Sequence, residues 1–399
     1  MKKIYTLFSL LLVAFSMNAQ NPWVVLNSGT TYNLFDIYFL NDNLGYVVGD
    51  NGTMLKTTNS GTTWTALNSG LTSTLTSIYF ADSLTGYAAG NGGVLIKTTD
   101  GGVTWTTLTS GTTVNLNYVG FINVNTGYAL GANGTILYTT NAGTTWVPQT
   151  SGTTNALFRI SYLDATTYVV CGDLGTILKT NNSGTTWFPL TSPTTNGLWY
   201  DYFTDANNGY CTGDNGTIIK TIDAGATWTT QTSGSTDYFG SVIFLNASTG
   251  FMVGGNLAAH TSTILKTVNA GITWTLQSSS STRQKHSAFP SANEGFSCGG
   301  GGVILKTTNI TVGFSESNAN VSCDVLPNPS NGKFEISIND NHSTKNKISI
   351  FNALGEVVFK EETDKSTISI DLSTKAKGVY FAEIITENGI TTKKIITDK

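Results

Sequence analysis

A tryptophan recurs at a fixed spacing through most of the chain, and this period constrains the fold more than any other feature. Successive copies are 41 residues apart, except for one interval of 46 residues, where 256–260 form an insertion. A period of this length is typical of solenoids and propellers. The recurring residues are Trp23, Trp64, Trp105, Trp146, Trp187, Trp228 and Trp274.

Each repeat reads as four short strands separated by glycine or asparagine turns. In the second repeat these strands are LTSIYF, GYAAG, GVLIKTT and TWTTLTSG. Strand-forming residues dominate and helical periodicity is absent, so the repeats predict an all-β fold of four-stranded blades. The third strand occurs in seven copies, and the last copy has Phe314 in place of the tryptophan. We therefore expect the Trp23 segment to complete the last blade and close a seven-bladed β-propeller over residues 21–314.

The pattern T-x-[N/D]-x-G-x-T-W ends at the six tryptophans from Trp64 to Trp274, and a decayed copy begins at Thr307. We call it the turn motif. Its Asn or Asp bonds backbone amides of its own turn, and its glycine takes a positive φ, as Asn59 and Gly61 do in the first copy. Five of the seven copies carry Asn or are decayed. This leaves too little charge for Ca²⁺, so we interpret the motif as structural.

The turn motif matches the Asp-box of bacterial-neuraminidase-type (BNR) repeats. The full unit, G-Y-x-x-G-x-x-G-x-[IL]-x-K-T-T-[ND]-x-G-x-T-W, resembles the photosystem II assembly/stability factor family over residues 22–314. This resemblance implies a seven-bladed propeller that binds protein and has no catalytic role, and it leaves the partner open. Sialidases share the motif, but they bind the substrate carboxylate with three arginines. The chain has only Arg159 and Arg283, which excludes a sialidase.

Other glycosidases need two carboxylates at a defined separation. The repeat region contains a single glutamate, Glu294, and the spacing of Asp36, Asp201 and Asp237 singles out no pair. We therefore predict a binding protein with no catalytic residue. The alternatives are an Asp-box glycan hydrolase and a structural surface protein or adhesin.

The net charge and the spacing of possible metal ligands argue against two further classes of partner, nucleic acids and metal ions. Lys and Arg total 21 against 25 Asp and Glu, a net charge of −4, which argues against nucleic acid. No His, Cys or carboxylate grouping has metal-ligand spacing, so we expect no metal and no cofactor. Three cysteines lie in apolar strands and predict buried thiols, whereas Cys323 lies in a polar segment and predicts an exposed one.

Two neighbouring positions of each first strand vary in chemistry between conserved apolar neighbours within the repeats. First strands line the channel of a propeller, and their starts open on the face commonly used for binding. A protein or glycan ligand would bind there, although tolerant channel packing explains the variation equally well. Trp199 lies outside the tryptophan register and has the amphipathic ring of a recognition anchor. The predicted ligand-binding residues are Asp36, Tyr118, Arg159, Trp199, Tyr200 and His286.

The composition changes after Phe314. A polar linker at 315–323 precedes alternating strands over 324–399, which predict a small Ig-like β-sandwich. This segment closely resembles the type A C-terminal sorting domain of the type IX secretion system. The resemblance implies handling by the type IX secretion machinery and passage across the outer membrane of a Gram-negative bacterium. The residues that match are Pro327, Asn328, Pro329, Gly332, Asn352, Gly355, Gly378, Tyr380, Lys393 and Lys394.

The first twenty residues predict a secretory signal peptide. Lys2 and Lys3 supply positive charge, 7–15 form a short apolar stretch, and Ala19 suits cleavage. The apolar stretch is too short to span a bilayer, and no later segment is long and apolar enough, so we expect no transmembrane segment. Together these features predict a secreted or cell-surface binding protein.

Overall fold

The computed structural model of the protein describes residues 23–256, 258–278, 280–308, 310, 322–339, 346–352, 357–386 and 389–398. The expected signal peptide, Phe314 and Gly355 lie outside the described residues, as does the expected linker up to residue 321.

Between residues 23 and 307, the described chain forms seven four-stranded antiparallel sheets, which we number as blades. The first strands of neighbouring blades contact one another around the ring, including blade 7 with blade 1. The predicted seven-bladed propeller is therefore confirmed. The strands are, in blade 1, Leu34–Phe39, Gly45–Gly49, Met54–Thr57 and Thr65–Leu67; in blade 2, Leu75–Phe80, Gly86–Gly90, Leu95–Thr98 and Thr106–Thr107; in blade 3, Leu116–Phe121, Gly127–Gly131, Ile136–Thr139 and Val147–Gln149; in blade 4, Leu157–Tyr162, Tyr168–Gly172, Ile177–Thr180 and Phe188–Pro189; in blade 5, Leu198–Phe203, Gly209–Gly213, Ile218–Thr221 and Thr229–Gln231; in blade 6, Tyr238–Phe244, Gly250–Asn256, Thr261–Thr267 and Thr275–Ser278; and in blade 7, Gln284–Ala288, Gly295–Gly299, Ile304–Thr307 and Trp23–Leu26.

The ring closes as the sequence predicts. Trp23–Leu26 pairs antiparallel with Ile304–Thr307 and forms the outer strand of blade 7. Trp23 is buried and lies edge-on to the rings of Phe251 and Phe289. The beginning of the propeller is thus held by its last blade. Short 3₁₀ turns join the second and third strands of five described blades, at Asp50–Gly52, Asn91–Gly93, Asp173–Gly175, Asp214–Gly216 and Gly300–Gly302.

The turn motif holds itself together, and its tryptophan packs between blades. In blade 1 the Thr63 amide donates to the Asn59 Oδ1 (2.9 Å) and the Gly61 amide to the Thr57 hydroxyl (2.9 Å). Gly61 has a φ of 73°. Trp64 lies edge-on to Phe39, and both pack against apolar residues of blade 7. The expected local hydrogen bonds are therefore present, and the tryptophan adds packing between blades.

A second interblade contact uses the lysine of the third strand. The ammonium group of Lys56 donates to the backbone carbonyl of Gly101 in the next blade (2.8 Å), and the Tyr46 hydroxyl donates to the same oxygen (3.1 Å). In blade 3 a tyrosine, Tyr138, replaces the lysine. The other described lysine bonds are Lys97–Ala142, Lys179–Ala224, Lys220–Ala270 and Lys306–Ser60.

The C-terminal residues form two further sheets around one apolar core, as expected for a β-sandwich. Cys323 pairs with Ile338 and is fully buried in this core, so the expectation of an exposed cysteine is wrong. Alternation along its strand directs Cys323 and Val325 inward. One sheet contains Ser322–Leu326, Lys333–Asn339 and Thr367–Asp371; the other contains Val357–Thr363, Asn346–Asn352, Gly378–Thr386 and Gly389–Thr397.

Candidate ligand-binding site at the channel mouth

A β-bulge at the start of every first strand shapes the site. In blade 1, Leu34 pairs with Gly49 and Asp36 with Val48, so Phe35 has no partner across the strand pair. A bulge breaks the alternation of side chains, and two consecutive residues then face the same side. This explains why both variable positions of the first strand reach one cavity. The bulged residues are Phe35, Thr76, Asn117, Phe158, Trp199, Gly240 and Lys285.

The starts of the first strands surround a cavity of about 290 Å³ at the channel mouth. All six residues that the sequence predicts as ligand-binding line this cavity, so the structure brings them together. Their binding role stays a prediction. The remaining lining residues are Phe35, Thr76, Ser77, Asn117, Phe158, Tyr238, Gly240, Arg283 and Lys285.

Arg159 lies between two tyrosine rings of this lining. Its guanidinium carbon lies 4.8 Å from the ring centroid of Tyr118 and 4.4 Å from that of Tyr200. The two rings belong to the neighbouring blades on either side, and their π faces attract the cation. Aromatic rings hold the guanidinium in place without using its N–H donors, which leaves those donors available to a ligand.

Asp36 and His286 form a pair across the junction of blades 1 and 7. Nδ1 of His286 lies 2.9 Å from Oδ1 of Asp36, and the Ile78 amide donates to Oδ2 of the same carboxylate (2.9 Å). Burial alone would raise the pKa of Asp36, but His286, Arg159 and the Ile78 amide outweigh it and lower the pKa. Asp36 is therefore an ionised, partnered carboxylate.

Trp199 is fixed at the rim on three sides. Its indole stacks on Phe158 with 4.1 Å between ring centroids and meets the Tyr238 ring edge-on at 5.5 Å. Its Nε1 donates to Oδ1 of Asp214 (2.9 Å), which belongs to a turn between the second and third strands. These contacts order the ring before any ligand arrives, which lowers the entropic cost of binding.

Two lining residues lie outside the positions that the sequence comparison singled out as variable. Tyr238 and Arg283 lie in neighbouring blades, each one position before the residue equivalent to Leu34, and the guanidinium lies 4.3 Å from the ring centroid. Large side chains at this position were a usable signal, because the equivalent residues are small or short: Asn33, Thr74, Asn115, Ala156 and Gly197.

Positive charge is concentrated in this cavity. Arg159, Arg283 and Lys285 line it, whereas Asp36 is the one carboxylate among its described lining residues. The Lys285 ammonium lies 3.3 Å from the Phe35 ring centroid, and burial, followed by the Arg283 charge, lowers the pKa of Lys285 to about 8. Both arginines of a chain with net charge −4 thus converge on one concave site. Concave walls of low dielectric focus such a field on an incoming anion.

Asp201 lies behind Arg159, in the core between blades 4 and 5. It is 2% exposed, and neither of its carboxylate oxygens accepts a hydrogen bond. Burial raises the pKa of Asp201 to about 7, against the opposing charge of Arg159. The sequence comparison noted Asp201 only as an available carboxylate and missed that it is buried.

The C-terminal residues that match a sorting domain lie around the last strand. The Asn328 side chain donates to the Lys394 carbonyl (2.6 Å) and accepts from the Ile396 amide (2.8 Å). It lies between Pro327 and Pro329, so the P-N-P segment covers one edge of this strand. Lys394 is exposed and Lys393 half-buried.

Two glycines and a tyrosine shape the turns beside that strand. Gly332 has a φ of 93°, and a Cβ there would lie 2.7 Å from the Ser373 Cα, which accounts for glycine. Gly378 opens the strand before the last, and the buried Tyr380 donates its hydroxyl to the Ala376 carbonyl.

Within the described residues, no three His, Cys, Asp or Glu side chains are grouped as a metal site would require. The same residues contain no helix with the length and apolar character that crossing a membrane requires.

The fold and site define a seven-bladed β-propeller with a cationic, aromatic cavity at its channel mouth, joined in sequence to a β-sandwich. Residues 15–114 match the family model for the photosynthesis system II assembly factor YCF48, and residues 324–398 match that for the secretion system C-terminal sorting domain. Both resemblances drawn from the sequence are therefore confirmed. Propeller and sorting domain together indicate a secreted protein.

Solved structures with the same fold include two of YCF48. The structure of YCF48 bound to D1 peptide has 20% identity and a TM-score of 0.62, covering 72% of this chain and 95% of that one. YCF48 from Cyanidioschyzon merolae has 20% identity and a TM-score of 0.60, with coverage of 71% and 98%. The GH74 enzyme of Niastella koreensis has 14% identity and a TM-score of 0.60, with coverage of 95% and 75%. These likenesses concern the fold alone, and no curated protein matches the sequence.

Proposed function

We propose that this chain is an exported propeller that binds a partner protein at the channel mouth, through an acidic segment of that partner. The observation that carries the proposal is the convergence of Arg159, Arg283 and Lys285 on one cavity with a single lining carboxylate. The Arg159 guanidinium lies between two tyrosine rings, and Nε of Arg283 is buried without a hydrogen-bond partner. A carboxylate ligand supplies the missing acceptors.

The aromatic side of the cavity favours a peptide over a bare anion. The stacked pair of Phe158 and Trp199 offers an ordered apolar surface beside the cations. In an extended peptide, an acidic residue would contact the cations of the cavity while a neighbouring apolar residue contacts the aromatic pair. The binding of D1 peptide by YCF48 supports a peptide ligand for propellers of this shape.

The export route forms the second part of the proposal. The match of 324–398 to a sorting domain supports passage through the type IX secretion machinery, after export by the signal peptide of residues 1–20. The mature protein is then released, or attached to the cell surface of a Gram-negative bacterium. Deleting 324–399 should retain the propeller inside the cell envelope, which fractionation and immunoblotting would detect.

We also propose that the protein acts without catalysis. Hydrolysis of a glycosidic bond needs two carboxylates facing the substrate, and Asp36 is the one carboxylate among the described residues of the cavity. Likeness to the GH74 enzyme extends to the fold alone. Release of reducing ends from β-glucans, abolished by Asp36→Asn, would contradict this part of the proposal.

A peptide array that varies acidic and apolar residues independently tests the binding proposal. We expect the full chain to select peptides that contain both, with affinity falling as salt rises. Arg159→Gln should weaken binding about 10- to 100-fold, as for loss of a charged hydrogen bond. Lys97→Gln removes one positive charge remote from the cavity and serves as the matched control. Selection of neutral glycans, or equal binding by Arg159→Gln and the control, would refute the proposal.

A further inference from the structure

Asp201 breaks the chemical pattern of its position in the first strands. The equivalent residues pack in the cores between blades, and all but Ser287 are β-branched and apolar. Burying a carboxylate there is costly unless a charged partner or hydrogen bonds compensate for the lost hydration. The apolar equivalents are Ile37, Ile78, Val119, Ile160 and Val242.

Few groups face this carboxylate, and one of them is a cation. Arg159, on the first strand of blade 4, is the cation whose charge opposes the burial of Asp201. The Ser161 hydroxyl donates to the backbone carbonyl of Asp201 (3.4 Å), and after Arg159 the nearby Ser161 also opposes the rise in the pKa of Asp201 that burial causes. The other titratable groups that interact with it are neutral thiols and phenols: Cys171 of blade 4, Cys211 and Tyr200 of blade 5, and Tyr118 of blade 3.

Arg159 thus links two anionic positions. On one side it faces Asp201 in the core, and on the other its donors face the cavity. We propose that binding of an anionic ligand at Arg159 is coupled to proton uptake by Asp201, so that the channel mouth binds such a ligand more tightly as the pH falls through neutrality. This inference rests on the proposed function and adds its regulation.

The sign follows from electrostatics. An anion on Arg159 offsets the positive charge that favours ionised Asp201, and it repels that carboxylate. The pKa of Asp201, about 7 in the free protein, therefore rises on binding. Affinity is highest below pH 7, falls as the pH passes between the free and bound pKa values, and is constant above both. One unit of pKa rise corresponds to a tenfold change in affinity.

Two other ionisable groups line the cavity and need a control. His286 faces Asp36, and Lys285 faces Phe35 and Arg283. Asp201→Asn keeps the shape of the side chain and cannot ionise. It should bind with the low-pH affinity of the wild type at every pH, apart from the change that the titration of Lys285 causes. His286→Gln should keep the step that Asp201 causes.

Sulfate is the probe, because its charge is constant across this pH range. Carbon NMR of the full chain, with the Asp201 carboxyl assigned by comparison with Asp201→Asn, follows that group with and without sulfate. We expect titration near pH 7 and an increase of about one unit with sulfate, together with proton uptake by calorimetry in two buffers. If Asp201 is ionised at pH 5, or sulfate binds at Arg159 without shifting it, the coupling is refuted and the proposed function survives. If neither sulfate nor acidic peptide binds at Arg159, both the coupling and the proposed function are refuted.

Discussion

Replacing Asp201 with Asn should stabilise the propeller at pH 8, although it alters a buried polar residue. The pKa of Asp201 is about 7 in the folded chain against an ordinary 3.8. The folded state therefore holds this proton more tightly than the unfolded state, and stability falls as the pH rises from about 4 to 7. At about 1.36 kcal/mol per unit, the full loss is roughly 4 kcal/mol.

Asparagine removes this loss but leaves its own amide group unbonded, at a cost of roughly 1–3 kcal/mol. The net gain at pH 8 is then about 2 kcal/mol, or a rise in Tm of roughly 4–6 °C for a domain of this size. At pH 4 the gain disappears, because Asp201 is protonated when folded and about half protonated when unfolded.

The assay is urea denaturation of the full chain at pH 4, 6 and 8, followed by tryptophan fluorescence. All eight tryptophans lie between residues 23 and 274, so this signal reports the propeller and not the sandwich. If Asp201→Asn destabilises the propeller at pH 8, or if wild-type stability is flat from pH 5 to 8, the reasoning is wrong.

Asp36→Asn is the matched control, because we expect it to change the stability of the propeller in the opposite direction. The pKa of Asp36 is lowered by His286, Arg159 and the Ile78 amide acting against burial. Its contribution is therefore present above pH 4 and lost as the pH falls through the folded pKa. Asp36→Asn should destabilise at pH 7 and lose its effect in strong acid. If both variants change the free energy of unfolding in the same direction near neutral pH, the two buried carboxylates do not differ as their charged and hydrogen-bonding partners predict.

Two further changes test how the repeats and the last strand are held. Lys97→Met should cost about 1 kcal/mol, because the Tyr87 hydroxyl still donates to the Ala142 carbonyl (3.0 Å). Adding Tyr87→Phe should cost more than the sum of the single changes, and simple additivity in denaturant titrations would contradict a shared acceptor. Asn328→Ala should speed amide exchange at Ile396 at least tenfold, whereas Asn328→Asp, which keeps the acceptor, should preserve protection. Equal exchange in both variants would refute the role of the side-chain amide.

The fold was predictable because the repeats align the chain with itself. The 41-residue period fixed the number of blades, and the missing last tryptophan placed Trp23 in blade 7. Cys323 was predicted wrongly for a related reason. It lies outside the repeats, where polar composition suggested a linker and the short alternation that directs Cys323 and Val325 inward carried little weight.

The candidate site was predictable in its residues but not in its geometry. Comparing repeats exposed two variable positions side by side, which a regular strand would direct to opposite faces. The bulge that directs both to the cavity depends on pairing between strands, and no single residue type marks it, since Phe35, Gly240 and Lys285 all occupy it. Tyr238 and Arg283 were missed because the comparison began one position later.

The same comparison shows which departures from the repeat carry information. Tyr138 replaces a lysine, yet the carbonyl of Ser183 still accepts a hydrogen bond from the Tyr128 hydroxyl (3.0 Å). This exchange therefore keeps a hydrogen bond between the two blades. Asp201 replaces an apolar residue, and nothing bonds its carboxylate. We interpret a departure from the repeat that leaves its hydrogen bonds satisfied as neutral sequence drift. One that leaves a buried carboxylate beside Arg159 supports the proposed coupling between ligand binding and the ionisation of Asp201.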